Sequence, residues 1–414
     1  MKDTAAADPQ APARPAGTVE FITIIATMMA LTALSIDSML PALPAIGETY
    51  GLSDPNARQL VITFYVLGFS AGQVVYGPPS DSFGRKPMLQ IGLTVYALAS
   101  LAVVFAGDFE TLLVARAAQG FGCGAPRVIA LAVVRDLYGG RRMARILSFV
   151  MMIFIIVPIV APTAGQALML IGHWQWIFLA LLALSLLLMV ATGFQLPETR
   201  PRGSRSRFSA RWLVSVVATT LAQRQTLGYT LATGFIFGGL MAYINTAQQI
   251  FVGIYALGDY FPVVFGAVAI TVALASWLNA HLVERLGMRR LSHAALVGFL
   301  ATSLVNLFVA LIFAGPPPLL VFCILLALSL FFFGFVMPNF NSLAMEPLQA
   351  VAGTASSFIG SFTTAAAAIL GWTVGQHFDG TVLPLVAGYV VLSAVALTIT
   401  AITERGRLFA AGDG

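Results

Sequence analysis

Three ionisable residues interrupt stretches that are otherwise apolar: Asp37, Arg116 and Arg127. A carboxyl group can take up and release a proton, whereas a guanidinium stays charged. An ionised side chain at the centre of a bilayer costs about 2.5–3.5 kcal/mol on insertion scales, so it faces a cavity or a partner. An acid near a cation loses its proton when paired or wetted and regains it when desolvated. That is the chemistry of a proton-coupling site with Asp37 as carrier; a structural ion pair is the other reading. Arg127 lies eleven residues after Arg116, about three helical turns, and so on a similar face. Tuning of Asp37, a substrate contact and a structural role each fit that position.

Beyond residue 227 no charge is embedded in an apolar run. Polar and aromatic groups stand there instead: Tyr243, Asn245, Gln248 and Gln249, then Asn339 and Asn341, then Phe358 and Phe362. Pooled, they describe an apolar cavity with a few amides, a lining that accepts varied amphipathic small molecules. Taken singly, each also fits helix packing or lipid contact. Enzyme signatures are missing. There is no Walker-type glycine loop, no His-Glu-x-x-His pair, and His173, His281, His293 and His377 do not cluster. No cofactor and no metal site are expected. Cys123 and Cys323 read as small buried hydrophobes, and Gly120, Gly122 and Gly124 as helix-packing residues.

The elements that must position these groups follow from composition. Of 414 residues, 58% are hydrophobic and 9% charged, and the mean hydropathy is +0.89. Soluble domains are about 25% charged, so this chain belongs in a bilayer. Hydropathy and loop punctuation predict twelve spans: 20–42, 57–77, 87–107, 110–134, 145–169, 175–194, 227–249, 260–283, 292–314, 319–341, 352–375 and 381–403. Each is long enough to cross a hydrocarbon core of about 30 Å. With the N-terminus inside, 19 of the 22 Lys and Arg fall on the cytoplasmic side; the exceptions are Arg58, opposite, and the embedded Arg116 and Arg127. The pI near 9.4 is therefore a topology signal, and no nucleic-acid partner is expected.

Residues 1–19 read as a disordered cytoplasmic tail and not a signal peptide, because the apolar run that follows is long enough to span. Residues 20–194 form one six-helix set and 227–404 a second, with 405–414 a cytoplasmic tail. The 195–226 linker holds a basic amphipathic stretch, Phe208 to Gln223, which fits a helix on the membrane surface. The two sets echo each other. A shift of 203 residues places Asp81 on Glu284, Gly84 on Gly287 and Lys86 on Arg289, each time between the second and third spans of its set. The predicted fold is all-α: twelve transmembrane helices in two pseudo-symmetric six-helix bundles.

Several local patterns stand out. Ile36 to Pro44 carries Asp37 among prolines. Gly77 to Pro87 reads GPPSDSFGRKP, where Gly84 permits a tight turn, Asp81 can cap a helix start, and Arg85 and Lys86 hold that end in the cytoplasm. Others are Arg116-Ala117-Ala118-Gln119-Gly120; Arg135-Asp136-Leu137-Tyr138; Pro158 to Gly165, with Pro158, Pro162 and Gly165 expected to bend a span; Trp174 to Phe178; Leu196-Pro197-Glu198-Thr199; and Pro338-Asn339 with Gly353 to Ser356.

Over roughly residues 20 to 405 the chain resembles the major facilitator superfamily, and within it the twelve-span drug:proton antiporters of the bicyclomycin-resistance (Bcr/CflA) type. That resemblance implies proton-coupling roles for Asp37 and Arg116. It implies a conformational latch between halves at Gly77, Asp81, Gly84, Arg85 and Lys86, where the alternative is a loop that only fixes topology. It implies a pathway-sealing antiporter motif at Pro158, Pro162 and Gly165. Pro79 and Ser82 depart from the family pattern in the latch, and Arg127 departs from it in the fourth span. The implied activity is proton-driven efflux of small, lipophilic, drug-like molecules by alternating access, in the bacterial inner membrane, with both termini cytoplasmic and the chain a monomer. The alternative is a proton-coupled transporter of one metabolite on the same fold.

Overall fold

In the computed structural model, residues 18–200, 210–313 and 316–409 are described, and all their regular structure is helical. Helix α1 (Thr18–Asp37) fills most of the first predicted span, and α2 (Leu43–Thr49) extends it beyond the expected end at residue 42. Then follow α3 (Leu60–Phe83), α4 (Arg85–Val104), α5 (Phe109–Leu137), α6 (Gly140–Ile171) and α7 (Gln175–Gln195). A short helix, α8 (Ala210–Ala222), leads to α9 (Arg224–Gln248), α10 (Phe261–Leu286), α11 (Met288–Ile312), α12 (Leu319–Met345), α13 (Ala352–Gln376) and α14 (Leu383–Thr403). Among the described residues, eleven helical segments are long and apolar enough to cross a membrane. Outside those eleven, α6 contributes the apolar stretch Ile156–Ile171.

The first span is not the continuous helix expected over 20–42. It stops at Asp37, passes through a 3₁₀ turn at Leu40–Ala42 and resumes at Leu43. Pro41 and Pro44 explain the break, since proline lacks the N–H donor and clashes with the preceding turn. The loop expected over Gly77–Lys86 is also mostly helix. α3 continues through Pro78 and Pro79 to Phe83, with Ser80 Oγ bonded to the Gly77 carbonyl at 2.7 Å. The turn is a single residue, Gly84, with φ of 108°. Its counterpart Gly287, between α10 and α11, has φ of 79°. A side chain would strain both positions, and this shared need is the physical content of the 203-residue echo.

Helix pairings repeat in the same order. α3 packs on α5 and α4 on α7; α10 packs on α12 and α11 on α14. Small residues set the closest approach: a Cβ on Gly68 would enter the Ala117 carbonyl, and one on Gly120 the Tyr65 carbonyl. Two further contacts join the first set of helices to the second, α3 with α13 and α6 with α10. Midway along the first of these, Ser70 and Ser361 exchange bonds. Ser70 Oγ donates to the Ser361 carbonyl at 2.9 Å, and Ser361 Oγ to the Ser70 carbonyl at 2.8 Å.

Candidate functional site

Asp37 is the last residue of α1 and is 4% exposed. Past the helix end one more ladder bond forms, from the Ser38 N–H to the Leu34 carbonyl at 3.1 Å, and the Asp37 carboxyl stands at the edge of the break. Tyr243 of α9 lies within electrostatic reach of it. The Tyr243 ring stacks on Phe265 with centroids 5.3 Å apart, and its buried hydroxyl has no hydrogen-bond partner. Gly165 of α6 lies against the other side of the break, where a Cβ would meet the Ser38 backbone. Pro158 and Pro162 sit within α6, which runs on through both to Ile171. The sequence motif from Pro158 to Gly165 thus borders the break that carries Asp37.

Arg116 does not form the expected pair with Asp37. It is fully buried on α5, and its hydrogen-bond acceptors are neutral. Nε donates to the Val61 carbonyl at 3.2 Å, one Nη to Gln119 Oε1 at 2.5 Å, and the other to the Ser35 carbonyl at 3.1 Å and to Met39 Sδ at 3.0 Å. The guanidinium also lies over the Tyr65 ring, 4.5 Å from its centroid, and near Phe178 at 5.3 Å. Such faces stabilise a cation. Ser35 and Met39 flank Asp37 by two residues on either side. Arg116 therefore holds the broken backbone around Asp37, and the carboxyl is left to other partners. Gln119 is held in turn by its Nε2 donating to Ser100 Oγ at 2.7 Å. Arg127, half-buried further along α5, lies within electrostatic reach of Cys123.

At the end of the molecule carrying the α3–α4 turn, three separate sequence motifs converge. Arg85 pairs with Asp81 at 2.5 Å and with Asp136 at 3.1 Å, and Arg200 reaches Asp81 at 3.3 Å. Thr199 Oγ1 donates to Asp136 at 2.9 Å. Asp81 lies in the last turn of α3 and is not the cap expected at a helix start. Glu198 takes that role: its carboxylate accepts the backbone N–H groups of Arg85 at 3.0 Å and Lys86 at 3.3 Å, at the positive end of α4. Asp81, Arg85, Lys86 and Asp136 belong to the first half, and Glu198, Thr199 and Arg200 to the linker that follows it.

The second half has a matching cluster that sequence reading missed. Arg289 binds Glu346 and Glu404, each at 3.2 Å. The Tyr229 hydroxyl donates to Glu404 at 2.6 Å and lies 3.0 Å from Nε2 of the fully buried His293. The echo of Lys86 in Arg289 was the one available signal; nothing in the sequence links Tyr229 to Glu404.

The expected cavity residues divide. Asn245 and Gln248 are buried on α9, with Oδ1 and Oε1 lacking partners. Asn339 instead serves packing, donating to Asn279 Oδ1 at 2.6 Å and to the Phe335 carbonyl at 2.8 Å. Asn341 is exposed, Phe358 half-buried and Phe362 exposed, with the two rings 6.5 Å apart. Among the described residues, no group of three or more His, Cys, Asp or Glu could hold a metal ion.

The model of the Major Facilitator Superfamily matches residues 24–371. A bicyclomycin resistance protein homolog of Haemophilus influenzae is 30% identical, over 93% of this chain and 98% of that protein. A multidrug resistance protein, MdtL, of Shewanella oneidensis is 28% identical over 82% of this chain and 84% of that protein. Among solved structures, a D-xylose-proton symporter superposes with a TM-score of 0.70 at 15% identity, covering 92% of this chain and 97% of its own. The human organic anion transporter MFSD10 superposes with a TM-score of 0.67 at 19% identity, covering 93% and 98%.

Proposed function

The chain belongs to the major facilitator superfamily, and on that premise we propose that it is a proton-coupled antiporter exporting small, drug-like molecules. The relatives of about 30% identity are named for resistance to bicyclomycin or to multiple drugs, which favours export over uptake of one metabolite. We read α6 as a further span beside the eleven, giving twelve, with 20–194 and 227–404 as two six-helix bundles. Residues 195–226 are then a cytoplasmic linker that includes α8, and both termini lie on the cytoplasmic face of a bacterial inner membrane. The 1–19 tail lies almost wholly outside the described residues.

The observation that carries this reading is Asp37, a buried acid at a helix break held open by Arg116. A proton antiporter needs one group whose surroundings change as access alternates. A membrane potential supplies about 2.3 kcal/mol per charge per 100 mV, and one pKa unit corresponds to about 1.36 kcal/mol. Modest changes in wetting or pairing around Asp37 are therefore of the right size. Arg116 acts as a positioning residue in this scheme. Tyr243, Asn245 and Gln248 line the substrate path from the second half. The monomer suffices.

The test is a growth-inhibition panel in a strain lacking its own pumps, with and without an uncoupler. Resistance that the uncoupler abolishes is expected. Uptake of a nutrient without resistance would reject export. Single cysteines placed between residues 195 and 224, on a chain lacking Cys123 and Cys323, should resist an impermeant thiol reagent in intact cells; labelling there would invert the topology.

A further inference from the structure

At the end of the molecule opposite the two ion-pair clusters, the halves are joined by side-chain amides. Gln59, fully buried just before α3, donates through Nε2 to Gln249 Oε1 at 2.6 Å and to the Gly375 carbonyl at 3.0 Å. Gln249 Nε2 donates to Asn56 Oδ1 at 2.7 Å. Asn56 Nδ2 donates to the carbonyls of Phe378 at 2.9 Å and Gln376 at 3.3 Å. Gln376 Nε2 returns to the Asn56 carbonyl at 3.0 Å and to Gln59 Oε1 at 3.4 Å. Every one of these bonds joins residues 56–59 to residues 249–378.

The contrast with the other end is one of connectivity. The ion pairs of Arg85 close within the first half and those of Arg289 within the second, while Arg200 ties the linker to Asp81. The amide bonds close only between halves. Separating the halves at this end must break them, whereas separating them at the other end leaves those ion pairs intact.

We propose that Asn56, Gln59, Gln249 and Gln376 form a neutral clasp that locks the extracytoplasmic gate and holds the resting transporter closed on that side. This rests on the alternating-access reading above. Neutrality matters for proton coupling. No side chain in the clasp titrates near neutral pH, so its strength is the same whichever way the proton gradient runs. Of the acids at this end, Asp54 accepts the Asn56 backbone N–H and Asp379 the Thr381 hydroxyl, each within its own half, while Asp259 accepts from Gln166 in an exposed bridge between the halves that lies outside the clasp. Gly375 belongs to the device as well, because a Cβ there would run into the Gln59 amide.

The test uses the full chain lacking Cys123 and Cys323, with Thr63→Cys as reporter. Thr63 is buried one helical turn inside Gln59, its hydroxyl bonded to the Gln59 carbonyl. An impermeant thiol reagent is added to intact cells, and the rate is normalised to the same chain labelled at Gly51→Cys in the exposed turn after α2. Gln59→Leu and Gly375→Ala should each raise labelling about tenfold, the loss expected when buried amides lose their partners. Gln376→Ala should raise it less.

Gln249→Glu supplies a second, internal control. An ionised carboxylate cannot donate to Asn56 Oδ1, but a protonated one can. Labelling in this variant should be fast at pH 8 and fall toward the parent only below about pH 4, while the parent shows no such change. If Gln59→Leu fails to fold, this titration within one folded protein decides. Unchanged labelling in Gly375→Ala together with a pH-independent Gln249→Glu would overturn the clasp. Labelling reports opening and not flux. Loss of resistance phenotypes with the labelling pattern intact would remove the export reading and leave the clasp standing.

Discussion

The two halves of the molecule share helix pairings and a glycine turn but not their polar interiors. In residues 18–195 the apolar spans hold an acid and two guanidiniums; in residues 224–403 the equivalent depths hold amides and aromatic rings. A permanent charge in a bilayer is tolerated only where acceptors already surround it, and Arg116 has them. The difference therefore teaches where energy input and recognition are separated. On the antiporter reading proposed above, work done by a proton enters through the half that carries Asp37, and the half lined by amides and rings meets molecules of varied shape.

The strongest way to break this comparison is Asp37→Asn. The variant should insert, fold and bind substrate, since a neutral amide is easier to bury than an acid, but uphill transport in proteoliposomes under a pH gradient should fall to the leak rate. Asp37→Glu should retain part. Full gradient-driven transport by the Asn variant would remove Asp37 from the mechanism.

A smaller effect separates the halves by stability. Arg116→Ala strands the Ser35 carbonyl and Gln119 Oε1, each loss costing about 1–3 kcal/mol. Asn339→Ala strands only Asn279 Oδ1, for about 1–3 kcal/mol. Thermal unfolding in detergent should rank Arg116→Ala well below Asn339→Ala; equal midpoints would mean that the guanidinium grip contributes nothing special.

Asp81→Asn should do less. Its pairs reach Arg85 of the same half and Arg200 of the linker, and its side chain is 30% exposed, so the change is worth up to about 1 kcal/mol. Turnover should slow more than affinity weakens. A collapse of affinity with unaltered thiol accessibility would place Asp81 in the substrate path instead.

The smallest effect sharpens the comparison at helix starts. Asp108 caps α5 with Oδ1 accepting the Thr111 N–H and Oδ2 the Thr111 hydroxyl, each at 2.8 Å, whereas α12 begins at Pro318 with no side-chain cap. The Thr111 N–H and hydroxyl hold the Asp108 carboxyl below the usual carboxylate range. A lowered pKa stabilises the fold above the unfolded value, and that stability is lost as pH falls through the folded one. Asp108→Ala should thus lower the unfolding midpoint slightly at pH 7, with the gap from the parent closing below about pH 4. A gap that persisted in acid would assign the cap to shape and not to charge.

Spans were legible because long apolar runs have one solution in lipid. Their ends were less so: α3 and α12 run on past the apolar core, to Phe83 and Met345. The break at Asp37 was hidden because apolar residues continue on both sides of it, although Pro41 and Pro44 were in plain view. Arg116 stood out as an embedded charge, but its partners did not, since a backbone carbonyl carries no sequence mark. Glu198 capping α4 and the amides joining residue 56 to residue 376 had no local pattern to find; only the folded chain brings them together.

The reciprocal bonds between Ser70 and Ser361 have a mechanical reading. Each hydroxyl binds the other's carbonyl, so the junction keeps its partners when the helices tilt about it, much as a pin joint does. Gln59 stands eleven residues away along the helix, an arm of about 16 Å at 1.5 Å per residue. A tilt of about 10° at the joint then moves the end of that arm by about 3 Å, one hydrogen-bond length. With the proposed clasp at the rim, small residues at a mid-helix crossing would convert a slight angular change into an all-or-none event.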